Sequence, residues 1–178
     1  APDAVRALGA HGQTVRHRPG EFDGCGYTLQ LLNGALLAEL TGVDTVCDLR
    51  ARDVAAGGQG APLVPAFHDA IFARTDATVV VLNIGGMANL SILRPGHTPL
   101  GFDCGPGNAL LDMWCQWQTG HAYDANGEFG AMGNVLEDWL SDALQEPLFS
   151  LQPPKSTGRD LFNAEWRSEE HTSELQSH

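Results

Sequence analysis

Apolar and polar positions along the chain alternate between short strand-like runs and helical periods. Tyr27–Leu31 reads as a short strand, and Ala35–Leu40 (ALLAEL) predicts a helix that Gly42 stops. Thr45–Leu49 predicts a second strand whose end delivers Asp48, Arg50, Arg52 and Asp53 into a loop, followed by a helix from Val64 to Phe72. Thr78–Leu82 (TVVVL) is continuously β-branched and apolar, as in a strand buried on both faces. Gly85-Gly86 then turns the chain into Met87–Leu93 as a hairpin. Leu100–Asp103 ends a third strand of this region, and Gly105-Pro106-Gly107 breaks it. Asn108 is expected to cap a helix carrying Leu110, Leu111, Trp114 and Trp117 at helical spacing. A further helix is expected over Asn134–Leu144, with Val135, Leu136, Trp139, Leu140 and Leu144 on one face. Strands alternating with helices predict an α/β fold. The polar break Arg74–Ala77 marks the expected boundary between two lobes.

Composition narrows the partners. The chain has 178 residues, 43% of them hydrophobic and 18% charged, which suits a buried core rather than disorder. A net charge of −12 argues against nucleic acid or an anionic membrane, because polyanions require a basic stripe. No apolar run approaches the roughly 20 residues of a membrane helix, and no signal-peptide h-region opens the chain. Cys25, Cys47, Cys104 and Cys115 lack CxxC spacing and read as reduced thiols. The expectation is a cytoplasmic protein. Because Ala1 is not methionine and a motif-like stretch begins at His11, further sequence is expected before Ala1. Residues 167–178 (RSEEHTSELQSH) have one aliphatic residue and resemble the conceptual translation of a sequencing-library adapter. They are set aside as a non-native tail.

Several polar constellations could carry chemistry. His11-Gly12-Gln13-Thr14 offers an imidazole, an amide and a hydroxyl beside a glycine, the alternative being a polar turn. Arg50 and Arg52 stand among Asp48 and Asp53, suiting either an anionic ligand or a surface ion-pair cluster. Asn83 with Gly85 and Gly86 could turn backbone N–H groups toward an anion, or form a plain hairpin turn. The sharpest site is GFDCGPGN, residues 101–108: a carboxylate, Asp103, precedes a glycine turn and a helix N-terminus. Such a helix end favours anions, and a carboxylate across from it could deprotonate a hydroxyl or water. Tyr123–Gly127 and Lys155–Asp160 read as a turn and a solvated loop. No histidine or cysteine grouping has zinc spacing, so no metal ligand is assigned.

HGQTVRHRP (11–19), DLRARDVAAGGQGAPLVPAFH (48–68), NIGGMANLSIL (83–93), GFDCGPGNALLDMW (101–114) and PPKSTGRDLFN (153–163) occur in one order. Together they closely resemble the anhydro-N-acetylmuramic acid kinase family over residues 8–166. The resemblance implies a bacterial, cytoplasmic enzyme of cell-wall recycling in the actin/sugar-kinase/heat-shock ATPase superfamily, with two lobes of RNase H-like fold. It implies ATP and Mg²⁺ as cofactors and a small amino sugar, 1,6-anhydro-N-acetylmuramic acid, as substrate; a homodimer is compatible with it. By motif, Asp103 resembles the family's catalytic base. His11, Gln13, Thr14, Arg52 and Asn83 resemble sugar contacts, while Gly85, Gly86, Gly105, Gly107 and Asn108 resemble backbone that approaches substrate or phosphate.

Residues 1–75 would then be the later part of the first lobe and 76–166 the beginning of the second. The family's phosphate loop and adenosine-binding glycines fall outside this sequence, so the 178-residue chain alone is expected to be inactive. Cys104 stands where threonine is often expected. The alternatives are a non-catalytic sugar-binding lobe, a degenerate paralogue, or a superfamily kinase for another hexose, the last opposed by GFDCGPGN.

Overall fold

The computed structural model describes residues 4–169. It is a mixed α/β structure whose chain divides into two compact units between Leu63 and Val64. The polar break at Arg74–Ala77 therefore lies inside the second unit, because the helix before it packs on that unit's sheet. Among the described residues no helix is long and apolar enough to cross a membrane.

In the first unit, β1 (Leu8–Gly9) pairs in parallel with β4 (Thr45–Val46), and β2 (Gln13–Pro19) pairs antiparallel with β3 (Gly26–Leu31). Strand β2 went unread in the sequence because Arg16, His17 and Arg18 interrupt any apolar alternation. Its register steps by one residue between Thr14 and Arg16, leaving Val15 as a bulge. Helix α1 (Gly34–Thr41) ends as expected at Gly42, whose N–H donates to the Ala38 carbonyl. The strand expected over Thr45–Leu49 stops at Val46. The loop expected after it is partly helical, since Ala51–Ala55 forms the short helix α2. Val54 of α2, 2% exposed, anchors it.

The second unit is built on the antiparallel sheet β5 (Val79–Ile84), β6 (Met87–Leu93), β7 (Leu100–Pro106), in that order. Helix α3 (Pro65–Phe72) packs against β6, where His68 Nδ1 meets the fully buried Ser91 hydroxyl at 2.8 Å. This covers one face of the sheet. The other face of β5 is open: Val80, Leu82 and Ile84 are each more than half exposed, against the burial expected on both sides. A continuous apolar run identifies a strand without saying how many faces are covered.

Strand β7 runs past its expected end to Pro106, with Cys104 as the extra residue of a bulge between the pairs Asn89–Asp103 and Ala88–Gly105. Helix α4 (Asn108–Thr119) buries Ala109 and Cys115, whereas Leu111 and Trp117 are exposed. Its N-cap is Gly107 rather than Asn108. Helix α5 covers Glu137–Ala143, shorter than expected, and leaves Val135, Leu136 and Leu144 exposed. Helices α6 (Pro147–Ser150) and α7 (Ala164–Glu169) frame an aromatic cluster. In it Phe162, 1% exposed, stacks on Phe149 at 6.0 Å and meets Trp166 edge-on at 4.9 Å. Of the segment 167–178, only the end of α7 is described; residues 170–178 lie outside the described residues.

Candidate active site

Cross-strand partners on a sheet share a face. The register therefore sets Asn83 of β5, Asn89 of β6 and Asp103 of β7 in one polar row, on the face that also carries Ser91. Asp103 is 5% exposed. Its backbone N–H donates to the Lys155 carbonyl at 3.0 Å, and its Oδ2 accepts from the Thr157 N–H at 2.9 Å. A single loop thus holds both the main chain and the carboxylate of Asp103.

That loop is not the solvated segment the sequence suggested. Lys155 is 9% exposed, and its ammonium donates to the carbonyls of Leu148 at 2.8 Å and Phe149 at 3.3 Å. Burying an ammonium requires such donors to be spent on acceptors. Phe149 in turn lies where a side chain on Gly105 would be, and Gly105 has φ +144, so glycine suits this position on both counts. Next to Asp103, burial pushes the Cys104 thiol up from its ordinary value, the Asp103 carboxylate adds to the rise, and Lys155 opposes it.

The glycine turns close on each other. The N–H groups of Gly107, Asn108 and Ala109 donate to the carbonyls of Gly86, Gly85 and Gly86 at 2.9, 2.8 and 3.2 Å. A Cβ on Gly107 would collide with the Gly85 carbonyl oxygen, so the hairpin and the start of α4 approach too closely for any side chain. Gly85, Gly86, Gly105, Gly107 and Asn108 are therefore brought together, but three N–H groups at the helix start are spent on carbonyls rather than presented to an anion. A cation stands nearby: Arg159 Nη2 is 3.9 Å from where a Cβ on Gly86 would sit. A cavity of about 560 Å³ adjoins the start of α4, lined by Asn108, Asp112, Trp114, Phe129 and Met132 among others. Asp103 does not line it. Asp124, at its edge, acts as a turn anchor, accepting from the N–H groups of Phe129 and Gly130.

In the first unit His11 Nδ1 donates to the Gly12 carbonyl at 2.7 Å, so its Nε2 is the acceptor for Arg50 Nε–H at 2.7 Å. Arg50 also donates to the Gly60 carbonyl, and Asp53 Oδ2 accepts from the Gly60 N–H. Arg50 is thus the organising guanidinium of this loop, while Arg52 on α2 is exposed. Thr14 accepts from Gln30 Nε2, which also donates to Thr28; His17 meets Thr28 at 3.0 Å. Gln13 is exposed.

Chemically, the second unit offers a buried carboxylate of fixed orientation beside polar groups, which suits proton abstraction from water or a hydroxyl. The sequence missed Thr157 and Lys155, whose contribution is long-range. The adjacent Pro153-Pro154 and the Thr157-Gly158 turn were the available signals, and both also suit an ordinary loop.

The family description "Anhydro-N-acetylmuramic acid kinase" matches residues 1–177. The chain belongs to the anhydro-N-acetylmuramic acid kinase family. Curated relatives of that name include one from Variovorax paradoxus, 62% identical over 169 residues, covering 92% of this chain and 45% of the relative. Another from Bordetella pertussis is 62% identical over 166 residues, covering 93% and 43%, and one from Albidiferax ferrireducens is 56% identical over 183 residues, covering 92% and 47%. The chain thus spans a little under half the length of these kinases.

Proposed function

We propose that the protein carrying this chain is an ATP-dependent sugar kinase that opens 1,6-anhydro-N-acetylmuramic acid with water and phosphorylates its 6-oxygen, giving N-acetylmuramic acid 6-phosphate. The observation that carries the reading is the buried Asp103 carboxylate, held by the Thr157 N–H at the end of the Asn83–Asn89–Asp103 row. Asp103 takes a proton from the water that adds to the anomeric carbon, and the bond from that carbon to the 6-oxygen breaks. Holding the base in one orientation supplies the positioning on which phosphoryl-transfer enzymes depend. Kinase relatives at 56–62% identity support the same assignment.

ATP, with Mg²⁺ neutralising its phosphates, supplies the phosphoryl group that the 6-oxygen receives. Arg159, beside the Gly85-Gly86 turn, is the cation placed to meet a phosphate, since the N–H groups of Gly85, Gly107, Asn108 and Ala109 are all engaged with carbonyls. Among the described residues no three histidine, cysteine or acidic side chains gather into a metal cluster. Mg²⁺ in such enzymes asks for only one or two carboxylates beside the phosphates. In the first unit, His11, Gln13, Thr14 and Arg52 are proposed sugar contacts, with His11 already oriented by Arg50. We further assign the two units to RNase H-like lobes of a cytoplasmic enzyme in cell-wall recycling.

The test is phosphate transfer from ATP to the anhydro sugar by the full-length protein, run in ¹⁸O-water. The label should appear at the anomeric hydroxyl of a 6-phosphorylated product. Binding of the sugar without turnover would instead support a non-catalytic sugar-binding protein.

A further inference from the structure

Two buried polar atoms beside Asp103 have no hydrogen-bond partner among the described residues: Asn89 Oδ1 and Thr157 Oγ1. Asn89 is the cross-strand partner of Asp103 and shares its face of the sheet. Thr157 holds Asp103 Oδ2 through its backbone N–H, so its hydroxyl belongs to the residue already clamping that carboxylate. Buried polar groups are nearly always paired, because an unpaired one forfeits its hydration with no return. Two such atoms flanking one buried carboxylate describe a receptor for a polar ligand group.

We propose that Asn89 and Thr157 are direct ligand contacts, forming with Asp103 a subsite for the hydroxyl or amide groups of a sugar. Asn89 Oδ1 accepts from a ligand O–H or N–H, and the Thr157 hydroxyl donates or accepts. The subsite lies wholly in the second unit, and its ligand rests on the kinase reading above. The Lys155 ammonium keeps it in shape by tying the loop to α6.

The test is isothermal titration of the full-length protein with 1,6-anhydro-N-acetylmuramic acid, alongside thermal unfolding. Thr157→Val removes the hydroxyl but keeps the backbone N–H on Asp103. It should weaken sugar binding about tenfold or more, the loss expected of one hydrogen bond, without lowering Tm, because the hydroxyl it deletes is unpaired. Thr157→Ser should restore binding, and Asn89→Ala should weaken it comparably. Unchanged affinity in both Thr157→Val and Asn89→Ala, or a lowered Tm with affinity intact, overturns the proposal and leaves the kinase reading standing. Failure of the parent protein to bind the sugar overturns both.

Discussion

The Thr157 backbone N–H donates to Asp103 Oδ2 across 54 positions of sequence, while the Asp103 N–H returns a bond to the Lys155 carbonyl. Lys155 is fixed in turn by the carbonyls of Leu148 and Phe149. Lys155→Met keeps the length of the stem but leaves those two carbonyls without their donor. It should cost about 1–3 kcal/mol of stability and lower kcat in the full-length enzyme more than it changes KM for the sugar. Urea unfolding and steady-state kinetics read the two effects. Unchanged values in both would mean that the lysine anchors nothing.

Cys104 should be a slow thiol. Burial raises its pKa first and the Asp103 carboxylate second, so the neutral thiol is favoured in the folded chain. Its contribution to stability is complete below the ordinary thiol value of 9.0 and is lost as pH climbs through the raised folded value. Alkylation by iodoacetamide follows the thiolate fraction and access. At pH 8, peptide mapping should find the exposed Cys47 modified roughly tenfold faster than Cys104. Asp103→Asn removes one cause of the rise and should speed Cys104; slower labelling in that variant would contradict the electrostatic account.

Gly107→Ala tests the closeness of the two glycine turns. Its Cβ would meet the Gly85 carbonyl, a backbone atom that cannot swing aside, so about 1–3 kcal/mol should be lost. Gly158→Ala, in open space, should stay within about 0.5 kcal/mol. Equal denaturation midpoints for the two variants would show that the hairpin and α4 tolerate separation.

Two arginines two residues apart should behave differently. Arg50 spans the His11 ring and the Gly60 carbonyl, a forked contact that a lysine cannot reproduce, so Arg50→Lys should destabilise by about 1–3 kcal/mol. Arg52 is exposed, so Arg52→Ala should leave unfolding nearly unchanged. If Arg52 contacts the sugar, as proposed, that variant raises KM for it in the full-length enzyme. An unchanged KM removes Arg52 from the site.

What the sequence made legible was local. The hairpin at Gly85-Gly86 and the stop at Gly42 each depend on neighbours within a few positions and took their expected places, whereas Asp103, expected at a strand end, sits inside β7, which pairs with β6 as far as Pro106. Lys155 read as solvated because a lysine among prolines and polar residues ordinarily is; its burial depends on carbonyls of α6 that no local pattern announces. Asn108 read as a helix cap by residue type, but the cap position fell to Gly107, because only a residue without a side chain fits against Gly85. Strand β2 was hidden by its charges, and its pairing partner β3 supplied what its own pattern lacked.

The central claim is that Asp103 is the base of a sugar kinase, and Asp103→Asn in the full-length enzyme tests it most directly. The change keeps size and removes the proton acceptor, so kcat for phosphorylation of 1,6-anhydro-N-acetylmuramic acid should fall by about 10²–10⁴ with sugar binding largely retained. Turnover within a fewfold of the parent would show that the buried carboxylate is structural and that the base lies elsewhere.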